Sequence, residues 1–107
     1  MIRGEIWTGS GGAYAGKPRP VVVLQSDRFD TDSVTICPFT TDPSDAPLLR
    51  LDIAPTGTNG LAEFSRIMVD KITTMPRGKL GRRIGRLGDE DMLCLNRAAL
   101  IFLGLAD

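Results

Sequence analysis

Residues 19–25, Arg19-Pro20-Val21-Val22-Val23-Leu24-Gln25, are the stretch of the sequence that decides the fold of this chain. The apolar run is too short for a helix of ordinary length, and its β-branched side chains pack well on the pleated surface of a sheet. Polar residues do not alternate with the apolar ones, as they would in a strand with one face in water. The run therefore predicts a strand that is buried on both faces.

Shorter stretches on both sides of this run predict further strands, separated by Gly-, Pro-, Ser- and Thr-rich loops at residues 8–12 and 55–60. Residues 33–39 alternate with period two, and Pro38 near their end predicts an edge strand or a bulge. Residues 47–53 alternate as well, which indicates a strand with one wet face. The remaining strands are predicted at residues 2–7, around residues 67–69 with a continuation to Thr74, and around residues 82–87.

The hydrophobic period changes after Gly88. Asp89, Glu90 and Asp91 stand where a first helical turn would place them, and the helix dipole favours acids there. Apolar residues follow before Gly104, at Leu93, Leu95, Ala99, Leu100, Phe102 and Leu103. The pattern predicts a terminal helix of about four turns. Short strands followed by one helix predict a mainly β fold, a bent antiparallel sheet or half-open barrel with the helix packed on it, as a single domain over residues 1–107.

The composition excludes several kinds of chemistry. The 107 residues include no histidine, which removes the commonest general acid or base and the commonest transition-metal ligand. Cys37 and Cys94 are far from any CxxC pattern, so neither a zinc site nor a disulfide is expected, and both are predicted to be buried thiols. We predict no metal and no cofactor. The sequence has no apolar run of about eighteen residues and no signal-peptide layout, which predicts a cytoplasmic protein that does not engage a membrane.

The charges balance overall but are unevenly distributed. The formal net charge is zero, and ten of the thirteen cations are arginine, whose guanidinium suits bidentate contact with phosphate. Five cations and no acid lie between Arg77 and Arg86, whereas residues 27–52 carry six acids and two arginines. The net charge of zero argues against a protein that binds nucleic acid indiscriminately, and the uneven distribution predicts a polarised surface.

Residues 16–27 resemble the signature strand of MazF/PemK-type toxins, in which a Gly-rich loop leads into an Arg-Pro pair and an apolar strand. The resemblance continues in the same order along nearly the whole chain, at residues 3–7, 38–41, 65–72 and 80–90. It implies the SH3-like small barrel of these toxins, a homodimer and a cognate antitoxin protein as partner. It also implies an endoribonuclease that cleaves single-stranded RNA sequence-specifically, without metal, to 2′,3′-cyclic phosphate and 5′-hydroxyl ends.

The resemblance places the family's key arginine at Arg19 and its key threonine at Thr40. An arginine fork can span two phosphoryl oxygens, and a threonine hydroxyl can donate to the same phosphate. The loop before Arg19, where members of the family often carry Ser-Glu, reads Gly12-Ala13-Tyr14-Ala15 here. The group that accepts the 2′-hydroxyl proton is therefore left open between the phosphate's own oxygen and four side chains: Tyr14, Lys17, Glu5 and Asp70.

Several side chains outside this pair are predicted to bind RNA. Arg82 and Arg83 in the basic segment would contact phosphates, although in a toxin the same arginines could meet an acidic antitoxin. Tyr14 could stack on a base, and Lys17 lies in the same loop. Lys71 with Asp70 would read base edges, by analogy with an acidic-amide pair often found there. Trp7 could also stack on a base, but a place in the core or in a dimer interface is favoured.

Two other functions remain open from the sequence. One is a CcdB-like toxin that shares the barrel and the dimer but inhibits DNA gyrase. The other is a non-catalytic RNA-binding module, which the missing loop glutamate favours. In either toxin reading, an acidic and partly disordered antitoxin segment is expected to lie along the cleft near Arg19 and residues 8–17.

Overall fold

Seven β-strands and one α-helix are found in residues 1–10, 17–43 and 50–107, the part of the chain that the computed structural model describes. The strands are β1 (Glu5–Gly9), β2 (Arg19–Val23), β3 (Ser33–Thr40), β4 (Arg50–Ile53), β5 (Ser65–Met68), β6 (Thr73–Pro76) and β7 (Leu80–Arg86). The helix α1 spans Asp89–Phe102, and two short 3-10 helices, Val69–Lys71 and Arg77–Lys79, flank β6. The predicted mainly β fold with one C-terminal helix is confirmed.

The sheet is antiparallel and changes partner along β3. Its strand order is β4-β5-β3-β2-β1-β7, and β6 also pairs with β3. One edge of β3 pairs with β2, while the other pairs first with β6 and then, at Phe39 and Thr40, with β5. This change of partner bends the sheet toward a barrel. Because β3 is internal, the prediction that Pro38 marks an edge strand was wrong; Pro38 pairs with Val21 of β2 and lies between the segments of β3 that pair with β6 and with β5.

Several predicted strand boundaries change in the structure. The strand expected to continue from residue 67 to Thr74 is broken by the 3-10 helix Val69–Lys71, so that β5 and β6 pair separately with β3. The first strand is shifted to Glu5–Gly9 and follows Gly4, whose φ of 90° turns the chain. Of the strand predicted at residues 47–53, the structure describes Arg50–Ile53; residues 44–49 lie outside the described part.

The core has one apolar cluster on each face of the central strands. Val22 of β2 packs in a cluster with Ile6, Cys37 and residues of β5 and α1, while Val21 and Val23 pack on the opposite face with Val34, Ile36, Met75 and Leu80. The three valines are at most 2% exposed, which confirms the prediction of a strand buried on both faces. Burial of one such side chain contributes about 1.5–3 kcal/mol to folding.

The helix α1 packs on the first cluster through Leu95 and Ala99, which are one turn apart. Its three first-turn acids are present as predicted, and the preceding Gly88 provides no side-chain cap. The narrow buried stripe leaves Cys94 exposed, so the prediction that both cysteines are buried was right only for Cys37. Among the described residues, no helix is long and apolar enough to cross a bilayer.

Candidate functional site

An open cleft of about 910 Å³ lies where β2 begins, β3 ends and the sheet changes partner. Strand ends, the loop before β5 and the 3-10 helix after β5 form its walls. Its polar lining residues are Arg19, Thr40, Thr41, Asp42, Glu63, Ser65, Lys71 and Thr73, and its apolar lining residues are Pro18, Pro20, Pro38, Phe39, Leu61, Ala62, Met68 and Ile72. The cleft therefore offers both cations and hydroxyl groups beside an apolar floor.

Arg19 and Thr40 both line this cleft. The last pair of the β2–β3 ladder on this side is Val21 with Pro38, and Arg19 and Thr40 each lie two residues beyond it. Arg19 continues to pair with Gly9 of β1, and Thr40 pairs with Arg66 of β5. The structure thus brings together the two residues that the sequence predicts to be catalytic.

The hydroxyl group of Thr40 acts as an acceptor within the protein and can donate its proton to a ligand. Its Oγ1 accepts a hydrogen bond of 3.1 Å from the backbone N–H of Asp42, which uses a lone pair and orients the side chain. Thr40 is half-buried, whereas Arg19 is exposed as the first residue of its strand. An oriented hydroxyl group and an exposed cation therefore line the same cleft.

Lys71 lines the cleft, but its neighbour Asp70 does not. The Asp70 carboxylate forms an ion pair with Arg50 at the start of β4, with 3.2 Å between Arg50 Nε and Asp70 Oδ1, and both side chains are 19% exposed. Arg50 Nη2 also donates a hydrogen bond of 3.4 Å to Asp70 Oδ2. The Nε and Oδ1 atoms are sealed from solvent and lack a well-aligned hydrogen bond, so the contact between them is mainly electrostatic. The pair anchors the 3-10 helix that presents Lys71.

The basic residues Arg82 and Arg83 lie on β7 and are not among the residues that line the cleft. Arg83 Nε lies 2.7 Å from Glu5 Oε2, and the indole N–H of Trp7 donates to Glu5 Oε1 at 3.1 Å. Burial of Glu5 works to raise the pKa of its carboxyl group, but hydrogen bonds from Ile2, Trp7 and Arg83 and the charge of Arg83 outweigh it and hold that pKa below its ordinary value. Glu5 therefore links β1 to β7 through its ion pair with Arg83, and it is not among the residues that line the cleft.

The loop before Arg19 is described only in part. Lys17 is exposed and directly precedes Pro18, which lines the cleft. Tyr14 belongs to residues 11–16, which lie outside the described part of the chain, as do the other residues that replace the expected loop glutamate. Trp7 packs against the second apolar cluster, in agreement with the favoured core reading.

Sequence reasoning missed Glu63. This exposed residue lies in the short loop before β5 and lines the same cleft as Arg19 and Thr40. An isolated glutamate in an irregular segment has no periodicity or motif that could have singled it out. Its position depends on the pairing of β5 with the end of β3, which brings residues 61–65 beside Thr40. Among the described residues, no group of three or more metal-ligating side chains occurs.

Comparison with known proteins gives the family. The family model of PemK-like, MazF-like toxins of type II toxin-antitoxin systems matches residues 2–103. A probable endoribonuclease MazF of Mycolicibacterium smegmatis is 56% identical over 108 residues, which cover 99% of each chain. The chain belongs to the PemK-like, MazF-like toxin family.

Solved structures share the fold. The Mycobacterium tuberculosis toxin MazF-mt6 is 27% identical and superimposes with a TM-score of 0.80, over 96% of this chain and 99% of that one. An endoribonuclease from a mycobacterial species, solved in complex with its cognate antitoxin, is 21% identical with a TM-score of 0.82, over 100% of this chain and 98% of that one. Both support the predicted small barrel.

Proposed function

We propose that this chain is a sequence-specific, metal-independent endoribonuclease, the toxin of a type II toxin-antitoxin system, and that it cleaves single-stranded RNA in the cleft between β2 and β3. The observation that carries the proposal is the juxtaposition of Arg19 and Thr40 at the cleft mouth. The 56% identity to a probable endoribonuclease along the whole chain supports it. Residues 1–107 would act as one domain in the cytoplasm, where RNA is available.

The chemistry needs positioning and charge stabilisation more than a protein nucleophile. In cleavage to a 2′,3′-cyclic phosphate, the 2′-oxygen of the RNA attacks its neighbouring phosphorus in line with the departing 5′-oxygen. Arg19 would donate two hydrogen bonds to the phosphoryl oxygens, where negative charge grows, and Thr40 would donate its hydroxyl proton to the same group. Loss of one preorganised donor of this kind typically costs about 2.7–4 kcal/mol of transition-state stabilisation.

The cleft also suits a single strand on either side of the cleaved bond. Lys71 supplies a second cation inside the cleft, and Lys17 stands beside its entrance. Proline rings and Met68 form an apolar floor on which bases can rest. Arg82 on β7 would meet more distant phosphates, and so would Arg83, in competition with its ion pair to Glu5. Tyr14 remains a proposed stacking residue. Asp70, which is paired with Arg50, would act on base recognition through the placement of Lys71.

We extend the proposal to two protein partners. The cognate antitoxin would block the cleft with an acidic segment that meets Arg19, Lys17 and Lys71. A second copy of the chain would cover the exposed apolar side chains of the C-terminal region, namely Leu93, Leu100, Ile101, Phe102, Leu103 and Leu105, which are 42–71% exposed. Apolar patches of this kind on an otherwise polar surface mark protein interfaces.

The test is incubation of the purified chain with a long RNA of mixed sequence in EDTA, followed by mapping of the cut positions and end groups. We expect discrete cuts with 2′,3′-cyclic phosphate ends, a loss of about 100-fold or more for Arg19→Ala, and near-normal cleavage by Arg28→Ala, an exposed arginine outside the cleft. Intact RNA after incubation with folded wild-type protein would refute the proposal and favour a gyrase inhibitor or a non-catalytic RNA-binding module.

A further inference from the structure

We propose that Glu63 is the catalytic group that accepts the proton of the attacking 2′-hydroxyl in this cleft. The inference rests on the proposed ribonuclease function and deepens it by naming a group that the chemistry requires. Arg19 cannot act as the resting base because a guanidinium stays protonated in proteins. The stretch Gly12-Ala13-Tyr14-Ala15 before it contains no acid. If a carboxylate accepts the proton, it must therefore come from another element.

The other carboxylates considered for this role are already engaged. Asp70 is paired with Arg50 and does not line the cleft. Glu5 lies on β1 in contact with Arg83 and Trp7. Asp42 also lines the cleft; its backbone N–H donates to Thr40 Oγ1, and the residue makes a further interaction. Within the part of the chain that the structure describes, Asp42 and Glu63 are the two carboxylates of the cleft lining, and we assign the role to Glu63.

The loop that carries Glu63 is held at both ends. Leu61 and Ser65 are 7% and 4% exposed, so the chain is buried on each side of the exposed glutamate. The hydroxyl group of Ser65 donates a hydrogen bond of 2.9 Å to the backbone carbonyl of Glu63. The buried Asn59 accepts a hydrogen bond of 3.0 Å from the N–H of Leu61 and donates one of 2.9 Å to the carbonyl of Ala54. Such anchoring restricts where the carboxylate can reach and keeps it on the cleft wall.

The surroundings of Glu63 suit a carboxylate that works as a base. Lys71 lines the same cleft and compensates its charge beside a polyanionic substrate, and Arg19 offers the phosphate a cation from the β2 side. A carboxylate in the same cleft as an arginine and a threonine would divide the tasks of proton removal and charge stabilisation.

The reaction balances with these groups and water. The O–H bond of the 2′-hydroxyl breaks and its proton passes to Glu63, while the 2′-oxygen forms a bond to phosphorus. The bond from phosphorus to the 5′-oxygen breaks, its electron pair stays on that oxygen, and the oxygen takes a proton from water. The hydroxide left behind is neutralised by the proton held on Glu63, which restores the carboxylate. Arg19 and Thr40 hold the phosphoryl oxygens throughout.

Single-turnover cleavage of a defined RNA by Glu63→Gln tests the proposal, with Glu90→Gln as the matched control. Glu90 is exposed in the first turn of α1 and does not line the cleft. Loss of a general base typically lowers the rate about 10²- to 10⁴-fold, and we expect a fall in that range for Glu63→Gln. Affinity for a 2′-deoxy analogue of the RNA should stay equal or rise, since one negative charge is removed. Added acetate should partly restore cleavage by Glu63→Ala.

The outcomes separate this inference from the proposed function. A rate within about threefold of the wild-type rate for Glu63→Gln, while Arg19→Ala is inactive, would overturn the role of Glu63 and leave the ribonuclease assignment standing. A lower rate accompanied by an equal loss of analogue binding, with no response to acetate, would also overturn it. Wild-type protein that fails to cut any RNA would remove both proposals together.

Discussion

Substitution of Asp70 by asparagine should show how much the buried ion pair with Arg50 contributes to the protein. The charged atoms lie 3.2 Å apart, and both side chains are 19% exposed, which places the pair between a surface salt bridge and a buried one. Surface pairs contribute about 0–1 kcal/mol, and removal of one partner of a buried pair costs about 3–5 kcal/mol. For Asp70→Asn we expect a loss of roughly 2–3 kcal/mol, since Arg50 keeps its charge without a counterion.

Asp52→Asn is the matched control for that substitution. Asp52 of β4 pairs with Arg66 of β5 at 3.0 Å, but its side chain is 62% exposed. Its loss should cost less than about 1 kcal/mol. In a domain of about 100 residues, 1 kcal/mol shifts the melting temperature by roughly 4–8 °C, so the two variants should separate clearly in a thermal melt.

The same substitution should act on RNA, because the pair holds the 3-10 helix that presents Lys71 to the cleft. We expect weaker binding of the uncleavable RNA analogue by Asp70→Asn at a temperature where the variant is fully folded, and unchanged binding by Asp52→Asn. Equal melting temperatures for the two variants would show that burial does not strengthen the Arg50 pair. Direct reading of a base by Asp70 would instead appear as a changed cleavage motif.

Three further predictions concern packing, assembly and the buried thiol. Gly85→Ala should lower the free energy of unfolding by about 3 kcal/mol or more, because the added Cβ would overlap the backbone of Thr58 and Asn59. Gly57 has open space around it, so Gly57→Ala should be nearly neutral when both variants are unfolded in urea. Phe102→Glu should convert a dimer to a monomer in light scattering, because it places a charge in the exposed apolar patch of α1, and an unchanged mass would place the interface elsewhere. In a Cys94→Ser variant, Cys37 should resist thiol reagents until the protein unfolds, because burial raises the pKa of its thiol to about 12. The unfolded thiol ionises near 9.0 and the folded one does not, so the free energy of unfolding should fall as the pH rises above that value. The Cys37→Ala variant should lack this part of the fall. An equal pH dependence of stability with and without Cys37 would contradict the assignment.

Local sequence patterns were sufficient to predict those elements whose structure is determined by neighbouring residues. The β-branched run at Val21–Val23 required a strand buried on both faces, and the change of period after Gly88 required a helix, because both signals lie within one element. The resemblance of residues 16–27 and 38–41 to a toxin family pointed to Arg19 and Thr40. In the structure, both residues line the same cleft.

Pairings across the chain were not accessible from the sequence. Asp70 and Lys71 are adjacent in sequence and were assigned one task, but the ion pair with Arg50, twenty residues earlier, separates them. The sequence predicted that Arg83 binds phosphate, but the pairing of β7 with β1 places its guanidinium beside the carboxylate of Glu5. Cys94 has apolar neighbours like those of a core residue, yet the helix buries only the stripe of Leu95 and Ala99.

The sequence by itself thus determined the elements, the family resemblance and the two residues at the cleft mouth. The tertiary structure alone decided which charges are neutralised within the chain and which remain available to a substrate, because those contacts depend on strand order and register. Glu63 shows the difference most clearly: no local pattern marks it, and it enters the cleft only because β5 pairs with the last two residues of β3.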